Sequence, residues 1–177
     1  MGRSFLGWLD SHFHFSFAEY YNPENINFGV LRVVNDDMVQ PGTGFDAHPH
    51  RDMEILSYVI DGELTHADNM GNKHALTRGQ VQYMSAGAGV LHSEHNLGEK
   101  MLRFLQIWIL PDARRHKPNY GDFPFKIEDR ENKWLPMATS IDNTASDAPI
   151  RVHQDINAYA TILTNKEAIE FPVAKGR

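Results

Sequence analysis

Two stretches decide what this chain can fold into and hold: Gly44-Phe45-Asp46-Ala47-His48-Pro49-His50 and Leu91-His92-Ser93-Glu94-His95. Each carries donor side chains two positions apart, His48 and His50 in the first, His92 and Glu94 in the second. In an extended strand, residues i and i+2 point to one face. Each pair can therefore aim two donors into one cavity. Two such strands facing each other would gather three imidazoles and a carboxylate around one point, which is the make-up of a metal site. A nitrogen- and oxygen-rich, sulfur-free set suits Fe(II), Mn, Ni, Cu or Zn. Pro49 has no N–H, so the first pair belongs to an edge strand or a strand end. Glu54 has the same parity as His48 and His50 and is a second candidate carboxylate. The small residues of Ser85-Ala86-Gly87-Ala88-Gly89 ahead of His92 let the backbone turn tightly there.

The surroundings are β-like almost throughout. Residues 26–34 and 53–60 are rich in β-branched side chains, and Asp61-Gly62 is a hairpin signal. Turns follow at Asn69-Met70-Gly71-Asn72 and Arg78-Gly79, with strand candidates at 81–84, 90–94 and 101–110. Short strands separated by glycine turns predict an all-β sandwich or barrel. Residues 111–149 gather prolines and charges and read as a long surface excursion and linker. Strand character resumes at 150–153 and 158–163. The expected organisation is a metal-binding barrel over residues 1–135, then a linker and the incomplete start of a second β unit over 136–177.

Composition narrows the function classes. The chain has 177 residues, 41% hydrophobic and 23% charged, enough for one well-buried domain and part of another. Its net charge of −6 argues against nucleic acid or an anionic membrane as partner, because phosphates call for clustered Lys and Arg. The absence of cysteine rules out disulfides, thiolate ligands and a thiol nucleophile. No run reaches the ~18 apolar residues of a membrane span, and residues 1–8 have no signal-peptide core, so the expected location is the cytoplasm. There is no P-loop and no Gly-x-Ser-x-Gly elbow. His66, His74, His95, His116 and His153 read as surface or packing histidines, and Trp108 as core.

The spacings also match a known pattern. Gly44-x3-His48-x-His50-x3-Glu54-x7-Gly62 resembles the first cupin motif, and Gly79-x12-His92-x3-Asn96 the second. Gly7-Trp8-Leu9-Asp10, Phe15-Ser16-Phe17-Ala18, Leu31-Arg32-Val33-Val34-Asn35, His48-Pro49-His50-Arg51-Asp52-Met53-Glu54, Met84-Ser85-Ala86-Gly87 and Gln106-Ile107-Trp108-Ile109 extend the likeness. The chain resembles the pirins, a two-cupin family of quercetinase-like proteins, from about residue 7 to the His153-Gln154-Asp155 segment.

That resemblance implies a cupin (double-stranded β-helix, jelly-roll) barrel followed by the start of a second. It implies one divalent transition metal, Fe(II) before Zn, Ni, Mn or Cu, on His48, His50, His92 and Glu94, with Glu54 the second-choice ligand. It further implies a dioxygenase that cleaves flavonols such as quercetin with O2, Glu94 serving as ligand and as base for the substrate hydroxyl. The alternative is a non-catalytic iron-binding regulator acting through a protein partner. Family members run on through a complete second barrel. A chain shortened there would expose the contact face of the first barrel and is expected to self-associate.

Overall fold

The computed structural model describes residues 1–164 and 168–173. The chain is all-β, as expected. Strands β1 (Gly2–Phe5), β2 (Leu9–Phe13) and β3 (Leu31–Val39) are followed by β4 (Thr43–His50), β5 (Glu54–Asp61) and β6 (Glu63–Asp68). Then come β7 (Lys73–Thr77), β8 (Val81–Ser85), β9 (Val90–Asn96), β10 (Leu102–Ile109) and β11 (Asn119–Phe123). A single 3-10 turn at Glu128–Arg130 precedes β12 (Leu135–Ser140), β13 (Ile150–Val152) and β14 (Asn157–Ala160). None of the described helical segments is long and apolar enough to cross a membrane.

Two sheets make the first barrel. One has seven strands in the order β1-β2-β3-β10-β5-β8-β11, the other four in the order β4-β9-β6-β7. They close on a shared core: Leu9, Val39, Val59, Leu102 and Phe104 from the larger sheet meet Leu64 and Leu76 from the smaller. Inward and outward residues alternate along β3, β9 and β10, which is the period-two signature of a sheet with unlike faces. At Gly62, between β5 and β6, φ is +81° and an added Cβ would press on the Met101–Leu102 backbone, so only glycine fits that hairpin.

The outer face of the seven-stranded sheet is also buried. Leu56, Val81, Tyr83 and Ile109 pack against Met137, Ala138, Ile150 and Val152 of a third sheet, ordered β13-β12-β14. Arg130 ties this region down. It is fully buried and donates to Tyr58 Oη (2.8 Å), the Gly79 carbonyl (2.7 Å) and the Phe125 carbonyl (3.1 Å).

Two local expectations change. The strand expected from residue 26 begins only at Leu31, because Gly29 takes a left-handed φ of +56° and Phe28 and Leu31 close a tight turn. The stretch 111–149, expected to be a long surface excursion and linker, contains β11 and β12. β11 is a polar edge strand held to β8 by backbone pairing over Asn119–Phe123, so it carries little hydrophobic pattern to read.

Candidate metal centre

The two donor-bearing strands are neighbours. β4 is the edge of its sheet and pairs antiparallel with β9, which accommodates Pro49 in the way an edge strand can. His48 lies opposite His92, His50 opposite Val90 and Phe45 opposite Glu94. Three steps along β4 therefore match two along β9, a β-bulge at Asp46-Ala47. The bulge brings Phe45 to the same face as His48. It also gives His48 an anchor, because His48 Nδ1 lies 2.7 Å from the Asp46 carbonyl oxygen. Only an N–H satisfies that oxygen, so the lone pair of neutral His48 is on Nε2. The close approach of the strands depends on Gly44, where a Cβ would land on the Glu94 carbonyl oxygen and the His95 Cα.

His48, His50 and His92 form a triangle of rings, with centroids 4.8 Å (His48–His50), 4.5 Å (His48–His92) and 4.8 Å (His50–His92) apart. One nitrogen from each falls within 4.8 Å of the others. Burial, followed by the neighbouring imidazoles, pushes His50 down to about 4 and His92 down to about 3. His50 and His92 are therefore neutral at physiological pH and have lone pairs to offer. His92 Nε2 is buried and has no hydrogen-bond partner. A buried, unpaired ring nitrogen is costly unless something else uses it, and a metal ion is what an unprotonated imidazole nitrogen can take.

Glu94 is buried beside this triangle. Its Oε1 accepts from Gln82 Nε2 and lies 3.0 Å from Ser57 Oγ, and its Oε2 accepts from Gln106 Nε2 at 2.8 Å. These partners come from β5, β8 and β10 of the opposite sheet. None is cationic, and the cavity wall holds no Lys or Arg. A second group of donors within 4.8 Å of one another joins Glu94 to His92 and His66. His92 thus belongs to both groups.

His48, His50 and Glu94 face a cavity of about 200 Å³. Phe13, Phe17, Phe45 and Trp108 supply aromatic wall, and Ser11, Asn35 and Asp37 supply polar wall from β2 and β3. Trp108 stands edge-on to His50 at 4.9 Å and to Phe17 at 5.4 Å. Asp37 is buried, its Oδ1 has no partner, and its carboxyl is pushed up to about 7. Burial is the main cause, partly offset by the Ser11 hydroxyl and reinforced by Glu94 and Asp36.

Residues 1–109 match the family model described as Pirin. The chain belongs to the pirin family. A pirin-like protein of Caulobacter vibrioides is 44% identical over 177 residues, covering 100% of this chain and 75% of its own. The quercetin 2,3-dioxygenase of Escherichia coli (strain K12) is 41% identical, covering 99% of this chain and 74% of its own. The crystal structure of the bacterial pirin YhhW from Escherichia coli in complex with nickel(II) superimposes with a TM-score of 0.81 at 41% identity, over 89% of this chain and 66% of that one.

Within this pirin barrel the other candidate residues fall as follows. Glu54 does not join the histidines. Asp52 takes a left-handed φ of +51° between β4 and β5, so the parity of His48 and His50 is not transmitted to β5. Ser57 points to Glu94, and Glu54, three residues away, lies on the opposite face. There it accepts from Tyr83 Oη at 2.5 Å, Ser85 Oγ at 2.6 Å and the His153 backbone N–H at 3.2 Å. His74, His95 and His116 pair with Asp122, Asp46 and Asp112 away from the triangle.

Two residues are closer to the site than their sequence context suggests. Trp108 packs against the Ile55, Met84 and Val90 cluster, as a core residue would, and also lines the cavity. His66 is fully buried against His92, directly opposite Glu94 in the β6–β9 ladder. A signal for it exists in the sequence: His66-Ala67-Asp68 repeats the spacing of His92-Ser93-Glu94.

Proposed function

We propose that this pirin is a metal-dependent dioxygenase that opens flavonols such as quercetin with O2, using Fe(II) held by His48, His50, His92 and Glu94. The observation that carries the proposal is the buried, unpartnered His92 Nε2 within a triangle of imidazoles, two of which, His48 and His50, line the cavity. The donor set fits such an ion: nitrogen and carboxylate oxygen, no sulfur, and no cationic side chain to neutralise Glu94. Bound there, the metal would polarise a substrate oxygen and supply the electron chemistry that O2 requires.

The chain's own residues do the rest. His48 is oriented by the Asp46 carbonyl, and Glu94 by Gln82 and Gln106. Phe13, Phe17 and Trp108 offer apolar faces to a flat aromatic ring and keep bulk water from it. A cavity of about 200 Å³ is smaller than the ~300 Å³ at which drug-sized ligands are usually enclosed. It takes the reacting ring, with the remainder of a flavonol extending past Leu6, which lines the mouth and is 60% exposed.

The two roles foreseen for Glu94 compete. Gln82 occupies Oε1 and Gln106 one lone pair of Oε2, while the single Ser57 hydrogen is within reach of Glu94 Oε1 (3.0 Å) and Gln106 Oε1 (2.8 Å); in either arrangement about one lone pair stays free on Oε2. That lone pair can bind a metal or take a proton, not both. We therefore assign Glu94 as ligand and Asp37 as acceptor of the substrate hydroxyl proton, because Asp37 lines the same cavity and its Oδ1 has no hydrogen-bond partner. Its carboxyl, held at about 7, is well matched to such a transfer.

The test is to load the protein anaerobically with Fe(II), admit O2 and follow quercetin absorbance. Iron-dependent loss of the flavonol band, absent in His48→Ala, is expected. No loss above that control would overturn the proposal.

A further inference from the structure

We infer that His66 and Asp68 are positioning residues that set the tautomer of His92 and keep its Nε2 free of a proton. The inference rests on the metal reading above and extends it beyond the four ligands. His66 Nε2 lies 3.0 Å from Asp68 Oδ2, and both side chains are fully buried. A carboxylate only accepts, so His66 Nε2 carries the hydrogen. In the form of His66 with a single N–H, its Nδ1 is then an acceptor. That nitrogen faces His92 Nδ1 at 3.4 Å. His92 Nδ1 must then be the donor, and its Nε2 is left with the lone pair. This is the nitrogen for which the structure shows no partner.

The sequence of donors runs one way because its far end is fixed. Asp68 Oδ1 accepts the backbone N–H groups of Met70 (2.8 Å) and Asn72 (3.1 Å), and Oδ2 accepts Asn72 Nδ2 at 2.8 Å. The turn Asp68-Asn69-Met70-Gly71-Asn72 thus folds four donors onto the carboxylate, counting His66. Burial opposes its ionisation, but His66 and Asn72 hold it below the ordinary carboxylate range. The plane of His66 is fixed by Tyr120, stacked at 4.3 Å and 15°. In the β6–β9 ladder Asp68 pairs with His92 and His66 with Glu94, so the backbone register delivers both groups to the ligand strand. A carboxylate behind a metal-binding imidazole is a common device for fixing its orientation and basicity. Here a second imidazole is interposed.

Three variants and one spectrum test this. In metal-free protein, 15N chemical shifts of the histidines are expected to report His66 as the Nε2–H form and His92 as the Nδ1–H form. Asp68→Asn is nearly isosteric but puts an amide N–H where Oδ2 accepts. It is expected to reverse both tautomers, placing a proton on His92 Nε2, and to weaken Ni(II) binding about 10- to 100-fold. His66→Leu, with no acceptor for His92 Nδ1, is expected to free His92 to carry its proton on Nε2 and to weaken Ni(II) binding by a similar factor. His66→Gln can accept at one end and donate at the other, and is expected to recover most of the affinity lost in His66→Leu. A His92 Nε2–H form in the unsubstituted protein would overturn the inference. So would Asp68→Asn binding Ni(II) as tightly, or a second Ni(II) equivalent lost on His66→Leu, which would make His66 a ligand. Failure of the unsubstituted chain to bind any Ni(II) or Fe(II) would instead sink the metal reading itself.

Discussion

Asp37→Asn should stabilise the metal-free protein, and increasingly so as pH rises. Asp37 is 4% exposed on β3, opposite Ser11 on β2, with Oδ1 unpartnered and Glu94 and Asp36 nearby. Its carboxyl moves from an ordinary 3.8 to about 7 in the folded chain. Below 3.8 both folded and unfolded chains hold the proton and the group contributes nothing to the pH dependence. Between 3.8 and 7 the unfolded chain releases its proton first, so stability falls as pH rises. Above 7 the loss is complete. A shift of about three units, at about 1.36 kcal/mol each, amounts to about 4 kcal/mol. Asparagine has the same shape and no charge to desolvate. Urea denaturation of both proteins at pH 5 and pH 8 is the assay. The advantage of Asp37→Asn should widen by about 3 kcal/mol across that interval. Adding Ni(II) should narrow it, because a nearby cation favours the ionised carboxylate. A gap that stays constant between pH 5 and pH 8 would refute the reasoning, since it would mean that Asp37 does not titrate in that range.

Two further substitutions separate structural from metal-binding roles. Glu54→Gln should cost about 1–3 kcal/mol, because it disturbs the buried contacts to Tyr83, Ser85 and the His153 backbone. It should leave Ni(II) stoichiometry unchanged, and a loss of metal would restore Glu54 as a ligand. Gly44→Ala should cost about 1–3 kcal/mol by overpacking against the β9 backbone. It should also weaken Ni(II) binding, because β4 and β9 carry the donors between them; titration calorimetry on the folded fraction reads the second effect.

What could be read from the sequence was whatever depends on period two within one strand. His48 with His50, and His92 with Glu94, share faces because nothing interrupts β4 or β9 between them. Glu54 fails the same rule for a local reason: Asp52 turns left-handed, and parity does not survive such a break. The bulge at residues 46–47 is equally hidden, since it shows only when β4 is laid against β9. Register between distant strands is where legibility ends. Ser57, Gln82 and Gln106 look like ordinary strand polar residues, yet the fold buries all three against Glu94.

That convergence explains why Glu94 is suited to its place. Its backbone belongs to the four-stranded sheet and its side-chain partners to the seven-stranded one, so the carboxylate bridges the two walls of the barrel. Polar groups this deep are tolerated only when satisfied. The two amides satisfy both oxygens of Glu94, but none of its partners carries a positive charge. His92 Nε2, buried without a partner, poses the complementary problem two residues away on the same strand. A single divalent cation held by both, as proposed above, would answer each problem at once, which a sealed polar core would not.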